Sequence, residues 1–279
     1  MKSSIINNDT LVADSGSTKT DWLLAGHIFH TQGINPVHQD EQHIRSILTN
    51  ELLPQLTACY GSEVPVGTVR FYGSGVRSDM EPLMVRLLRS VLPQATIVEA
   101  HSDLLGAAIA LCGESEGIAC ILGTGSNSCL FDGHSIVNNI PPLGYILGDE
   151  GSGASLGVRF LGALYKQRLP SAVREAFEND QQMTLATVID RVYRQPMANR
   201  WLASLSPFIA SQLHIPEVDT LVTDNFRDFI VRNVEPYHRP DLPVSAVGSI
   251  AYYYRDQLSR AVAAQGFMLG KVMRSPFGT

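Results

Sequence analysis

The chain has 279 residues, 44% of them hydrophobic, enough for two compact lobes with a buried core each. Its 21 basic and 27 acidic residues leave a net charge of −6 with no run of Lys or Arg, which disfavours nucleic-acid and anionic-membrane binding. Four cysteines (Cys59, Cys112, Cys120, Cys129) without a CxxC pair read as reduced core residues of a cytoplasmic protein, and neither a signal peptide nor an apolar run of ~20 residues stands out.

In chain order, Thr10 to Ala13 predicts a strand that stops in Asp14, Ser15, Gly16, Ser17 and Thr18. Strands over Asp21 to Ala25 and Ile28 to Gln32 follow, the second running into Gly33 and the loop Ile34, Asn35, Pro36. Ile44, Ile47, Leu48, Leu52 and Leu56 at helical spacing predict one helix from Glu41 to about Cys59. A strand over Thr68 to Tyr72 ends in Gly73, Ser74 and Gly75; a helix over Asp79 to Leu92 and a strand over Thr96 to Glu99 come next. Ser102 and Asp103 open an apolar helix through Cys112 that Gly113 closes, a hydroxyl N-cap and a C-terminal glycine.

The apolar run from Ile118 then breaks into Gly123, Thr124, Gly125, Ser126 and Asn127, a turn whose glycines let backbone N–H groups converge on an anion while two hydroxyls add donors. LVADSGSTKTDWLLAG (11–26) and CILGTGSNSCLFDG (120–133) share the order strand, small-residue turn, strand, which points to two similar lobes. A Pro- and Gly-rich loop with two acids spans 138–153, and 154–233 is mainly helical. Pro243 to Val247 is a strand ending in Gly248, Ser249, Ile250 and Ala251; a helix around Tyr252 to Ala264 and a strand over Phe267 to Met273 finish the chain. The lobe boundary is expected in 113–117, giving an N-terminal lobe over 1–114 and a C-terminal lobe over 115–279.

Three glycine-rich turns at strand ends, DSGST, LGTGSN and VGSIA, suggest one ligand held from several sides. On these turns the chain resembles the actin, Hsp70 and sugar-kinase superfamily, whose phosphate-1, phosphate-2 and adenosine motifs fall in this order. With SDLLGAA and LGDEGSG added, it resembles more closely the BadF/BadG/BcrA/BcrD ATPase family and its N-acetylglucosamine-kinase-like members, from Asp14 to about Lys271. The resemblance implies an α/β fold of two ribonuclease-H-like lobes with ATP in the cleft between them. It further implies an ATP-dependent kinase acting on the 6-hydroxyl of N-acetylglucosamine or a related amino sugar, with ATP and Mg²⁺ as cofactors.

Asp14 ends a buried strand beside a phosphate-sized turn, a place where a carboxylate can hold Mg²⁺ through water or simply cap its own turn. The resemblance favours the metal role and gives Ser15, Gly16, Ser17, Thr18, Lys19, Gly123, Thr124, Gly125 and Ser126 to the ATP phosphates. Lys19 is equally readable as a solvated hairpin charge. Asp103 sits in a first helical turn, where the macrodipole favours its charged form by ~0.3–1 kcal/mol; the resemblance makes it the general base. Asn35 and Asp149, in loops bounded by glycine or proline, suit vicinal sugar hydroxyls, and the resemblance places Ser74 and Asn127 with them. The role of Glu150 stays open. Gly248, Ser249 and Ala251 fall at the nucleoside, with Ser249 where relatives often carry a second glycine.

Other chemistries fit less well. GASLG at 153–157 matches GxSxG but lacks the preceding strand; GxxxxGK[ST], HExxH and a Cys/His cluster are missing. Within the family the alternative is an ATPase activator of a 2-hydroxyacyl-CoA dehydratase-type enzyme, which needs cysteine thiolates presented together for an iron–sulfur cluster. A non-catalytic sugar or nucleotide sensor would need a DNA-reading helix-turn-helix or a partner module. The expected partner is a small-molecule sugar, without nucleic acid or membrane, and a homodimer is the candidate assembly.

Overall fold

The computed structural model describes residues 7–16, 18–180 and 182–278; Ser17, one of the expected phosphate-binding residues, lies outside them. Backbone contacts divide the chain into two units, one formed by residues up to Gly113 with Pro276–Gly278, the other by Glu114–Ser275.

In the first unit the apolar stretch TLVADS forms strand β1 (Thr10–Ser15), whose residues are buried on both faces except for a partly exposed Asp14. Such a strand belongs in the middle of a sheet, and β1 pairs antiparallel with β2 (Lys19–Leu24) and parallel with β4 (Thr68–Gly73). Strands β3 (His27–Gln32) and β5 (Ile97–Ser102) complete the order β3-β2-β1-β4-β5. One face carries Leu11, Ala13, Trp22, Phe71 and Ala100, which form a core with Ile44, Leu48, Leu52, Met84 and Leu88. Those last residues come from helices α1 (Glu41–Ile47) and α3 (Glu81–Val91) and from the π-helical turn Leu48–Leu52 that joins α1 to α2 (Leu53–Tyr60), which adds Leu56. The single helix expected from 41 to 59 is thus one rod with a widened turn in it, and α3 starts later than expected, at Glu81-Pro82, where proline suits a first helical turn. Helix α4 (Asp103–Cys112) packs against β4, where the Tyr72 side chain meets Gly106.

The second unit repeats the pattern. Strands β6 (Gly117–Leu122), β7 (Ser126–Phe131), β8 (Ile136–Asn138), β9 (Pro243–Val247) and β10 (Met268–Met273) lie in the order β10-β9-β6-β7-β8. The first three are antiparallel neighbours and β6, β9 and β10 run parallel, the same directions as in the first sheet. The loop expected over 138–153 contains a one-turn helix, α5 (Gly144–Leu147). It leads to α6 (Gly153–Tyr165), after which the chain is helical: α7 (Ser171–Asp180), α8 (Leu185–Tyr193), α9 (Ala198–Ser204), α10 (Ser206–Ser211) and α11 (Pro216–Phe229). Helix α11 continues without a break into a π-helical turn, Ile230–Val234. After β9 come α12 (Ser249–Tyr253) and α13 (Arg255–Ala264), separated at Tyr254, whose buried side chain is anchored by its hydroxyl donating to the Ser206 carbonyl at 2.6 Å. Phe160, Phe177 and Phe208 stack edge to face at 5.4–5.8 Å in the core of this unit. Among the described residues no helix is long and apolar enough to cross a membrane.

Candidate active site

Three parallel strands of the first unit, β1, β4 and β5, end side by side, and ligands in open α/β sheets gather at such carboxyl ends. In register, Asp14, Tyr72 and His101 form one row across the sheet and Ser15, Gly73 and Ser102 the next. Asp103 follows at once as the first residue of α4, whose N-terminus is capped by Ser102: the Leu105 N–H donates to Ser102 Oγ at 3.3 Å. Gly106 lets this helix come down onto the sheet, since a Cβ there would stand 2.8 Å from Cβ of Tyr72. The helix start, and with it Asp103, is fixed by a cap on one side and a close helix–sheet contact on the other.

The charge of Asp103 acts on Asp14. Burial, then the charges of Asp103 and Asp21, push Asp14 up to about 7 against a lowering by Lys19. Burial raises Asp103 to about 6, with the backbone N–H groups of Leu104 and Asp103 itself offsetting part of the rise. Both keep some solvent access. A buried carboxylate raised by a neighbouring acid, as Asp14 is, is relieved by a divalent cation. Among the described residues no group of three or more His, Cys, Asp or Glu side chains could hold a metal alone. A cation at Asp14 would therefore draw its other ligands from water and from a bound phosphate, which is how Mg²⁺ prefers to be held.

The turn after β1 differs from its expected part in one respect. Ser15 is fully buried, and its hydroxyl donates to the Ile34 carbonyl at 3.1 Å, accepts from the Ile34 N–H at 3.0 Å and shares a 2.6 Å hydrogen bond with Thr20. That side chain ties the turn to the Ile34–Asn35 loop instead of facing a phosphate. Gly16 and Thr18 are exposed, and the Gly16 N–H donates to the Lys19 carbonyl at 3.0 Å. Lys19 Nζ pairs with Asp21 at 2.7 Å, and the other oxygen of Asp21 lies 2.7 Å from His30 Nδ1. Close by, the Ser74 N–H donates to the Ser15 carbonyl at 2.8 Å, and Asn35 Nδ2 reaches Ser74 Oγ at 3.5 Å. Gly75, at φ +77°, is the residue that lets this turn close on Asn35, because a Cβ there would overlap the Asn35 amide. Asn35, Ser74, Asp14 and Asp103 thus all stand at the same end of one sheet.

In the second unit, Leu122 pairs with Ser126 at the end of the β6–β7 hairpin, and the turn between them is closed by the Gly123 N–H donating to the Gly125 carbonyl at 3.0 Å. The N-terminus of α6 is fastened to it: Gly153 and Ala154 donate their N–H groups to the carbonyls of Gly123 and Thr124 at 2.8 and 3.1 Å. Asp149 sits against the same turn, with Oδ2 3.0 Å from where a Cβ on Gly125 would be. Burial raises Asp149 to about 6, the Ser126 hydrogen bond lowering it and Glu150 adding to the rise. The expected sugar residue and the expected phosphate turn are therefore in direct contact. Asn127 Oδ1 accepts from the Ser128 N–H and from Asn139 Nδ2, both at 2.9 Å.

Gly248, at φ +127°, brings the end of β9 against the Leu122 carbonyl, which a Cβ would overlap. Ser249 is exposed as the first residue of α12. The Ala251 methyl is wholly buried in the core of this unit, because the helix begins at Ser249 and turns its third residue inward. Ala251 presents no side chain to a nucleoside.

No protein-family model matches the chain, and no curated protein matches it. A crystal structure from Porphyromonas gingivalis, of a protein provisionally described as an N-acetylglucosamine kinase, is 50% identical in sequence, with 96% of each chain covered and a TM-score of 0.92. The chain belongs to that protein's family of sugar kinases. A second structure, from Chromobacterium violaceum and provisionally described in the same way, shares the fold at 20% identity, 94% coverage of each chain and a TM-score of 0.62. So does a ROK-family glucokinase from Streptomyces griseus, solved with glucose and AMPPNP, at 15% identity, 96% and 95% coverage and a TM-score of 0.53.

Two features of the sequence take their places in this sugar-kinase chain. Cys129 pairs with Ala119, so Cys120 and Cys129 point to opposite faces of the sheet. Ser155, the centre of the GxSxG match, lies in the first turn of α6 and donates to Asn225 Oδ1 at 2.9 Å. Residues that the sequence did not single out are Asp21, His30, Gly106, Arg232 and Asn233. Asp21 and His30 were visible as polar residues of alternating strands; the other three are defined by contacts distant in sequence.

Proposed function

We propose that the protein is an ATP-dependent sugar kinase of the N-acetylglucosamine-kinase-like branch of the BadF/BadG/BcrA/BcrD ATPases, acting on the 6-hydroxyl of N-acetylglucosamine or a related amino sugar in the cytoplasm. The observation that carries this reading is the Asp14–Asp103 pair at the carboxyl ends of β1 and β5, on either side of β4, with Asn35 and Ser74 at the same sheet end, in a chain 50% identical to the P. gingivalis protein. Asp103, with its affinity for protons raised to about 6, is matched to take the proton of an attacking hydroxyl near neutral pH. The sugar oxygen then forms its bond to the γ-phosphorus as the bond from that phosphorus to the β–γ bridging oxygen breaks, releasing ADP, and the hydroxyl proton stays on Asp103.

In this reading Gly16, Thr18 and Lys19, with the Gly123–Ser126 turn, receive the phosphates of ATP, and Gly248 and Ser249 flank the nucleoside. Asp14 would hold Mg²⁺ through water, and Mg²⁺ would supply neutralisation of the phosphate charge. Asn35, Ser74, Asn127 and Asp149 orient the sugar, which brings the hydroxyl and the carboxylate into line. A coupled ADP assay with Mg·ATP across N-acetylglucosamine, glucosamine, N-acetylmannosamine and glucose tests the proposal. Turnover highest with N-acetylglucosamine is expected; a flat trace on all four would overturn it.

A further inference from the structure

Glu150 has no part in the reaction as described, yet its side chain is only 15% exposed and is held from two sides. Arg232 Nη1 donates to Oε1 at 3.2 Å and Asn233 Nδ2 to Oε2 at 3.3 Å. Both donors lie in the π-helical turn Ile230–Val234 that extends α11, and such widened turns recur at functional sites because they re-aim neighbouring side chains. The turn is itself anchored to the phosphate hairpin. Ser128 Oγ on β7 donates to the Asn233 carbonyl at 2.7 Å and lies 2.7 Å from the Tyr237 hydroxyl, which accepts the Ile140 N–H at 3.1 Å. Ile140 and Asn139 begin the loop that ends in Asp149 and Glu150.

Asp149 needs such a hold. Its backbone is left-handed, at φ 53°, and Gly151 after it is at φ 75° with Phe229 where a Cβ would be. A non-glycine residue in that region costs on the order of 1 kcal/mol or more and persists only where its surroundings fix it. A second acid next to Asp149 works against the charge of Asp149, so Glu150 stands there at an electrostatic disadvantage that its Arg232 and Asn233 partners offset. We infer that Glu150 is a positioning residue, a clamp between the Ile230–Val234 turn and the Asp149 backbone that holds the Asp149 carboxylate against the Gly123–Ser126 turn and so sets affinity for the sugar. The sugar part of this inference rests on the function proposed above; the clamp does not.

Glu150→Ala, Glu150→Gln and Arg232→Ala test it in the full-length protein, with steady-state kinetics and amide hydrogen exchange at Ser126. In Glu150→Ala the KM for the sugar is expected to rise about tenfold or more, with the KM for ATP changed by less than about twofold. The Ser126 amide, in the turn that the Asp149 carboxylate no longer covers, exchanges faster. Glu150→Gln, which keeps an oxygen for Arg232, recovers part of the loss, and Arg232→Ala reproduces it from the other side should Glu150→Ala fold poorly. Unchanged Ser126 exchange in both alanine variants would overturn the clamp. Parallel rises in both KM values with a lowered Tm would reduce Glu150 to a stability residue and overturn the inference as well. If the wild-type protein turns over no sugar, the kinase reading fails on its own, and Ser126 exchange still decides the role of Glu150.

Discussion

In the proposed kinase Asp103 serves as the general base, and local chemistry suits it to that part. It sits where a parallel strand gives way to a helix, so the backbone N–H groups of Leu104 and Asp103 itself favour its charged form while burial disfavours it, and the second effect wins, to about 6. A carboxylate of ordinary acidity would be a poorer base for a hydroxyl; one raised further would be protonated at neutral pH. Asp103→Asn, which keeps shape and removes the acceptor, should lower kcat by ~10² or more while leaving nucleotide affinity unchanged, checked by turnover and by ADP titration. In the proposed mechanism the same carboxylate gives a pH limb: kcat/KM of the wild type should fall as pH drops below about 6, because the protonated carboxyl is too weak a base to take up the hydroxyl proton. A flat profile through pH 5 would assign the proton to another group. Ser15 makes the opposite point. In sequence it is one more hydroxyl of a phosphate turn; in three dimensions its oxygen serves Ile34 and Thr20, and it holds the turn without facing a ligand.

Elements were legible where a local rule decides them. Pro243–Val247 and the helix over 103–112 match the sequence expectation residue for residue, since a proline with a following glycine, and a Ser cap with a closing glycine, mark their ends. The π-helical turns Leu48–Leu52 and Ile230–Val234 are not legible, because they keep helical periodicity almost unchanged and differ by one residue per turn. Nor is the contact between Asp149 and the Gly123–Ser126 turn, which joins residues more than twenty apart through a left-handed backbone that no local pattern announces. Of the candidate site, then, the sequence showed which turns carry the small and acidic residues, and packing decided which of their atoms face outward. Helix α4 illustrates the dependence. Gly106→Ala puts a methyl 2.8 Å from Cβ of Tyr72, so the helix must lift and take Asp103 with it. Stability should drop by ~1–3 kcal/mol in denaturant titration, and kcat should fall more than the affinity for ADP does. Equal loss of both would mean that α4 does not position the base.

At the scale of the molecule the chain uses one strand plan twice and sets different side chains at matching positions. The position held by Asp14, next to last on β1, is taken on β6 by Ile121, so the acids belong to the first unit and the glycine turn with its Asp149 to the second. Concentrating acids has a thermodynamic consequence. Asp14 is raised to about 7, so between roughly pH 4 and 7 the folded protein holds a proton that the unfolded chain has released. Stability is therefore lost as pH rises through that window, and above it the ionised Asp14 opposes folding by on the order of 1–4 kcal/mol. Asp14→Asn should accordingly melt higher than the wild type at pH 8 without nucleotide, the difference closing toward pH 4, and should lose the extra stabilisation that Mg²⁺ adds to ADP binding. A lower Tm at pH 8 would contradict the assignment. A last consequence concerns where the chain can be cut or lengthened. Because Gly153 and Ala154 of α6 are bonded to the carbonyls of Gly123 and Thr124, one residue added between Gly123 and Gly125 would break the register of the hairpin and the seat of a thirteen-residue helix together. The exposed turn after Tyr60, where Gly61 bonds only back to its own helix at Thr57, has no such tie, and new termini or an inserted tag are far better accommodated there.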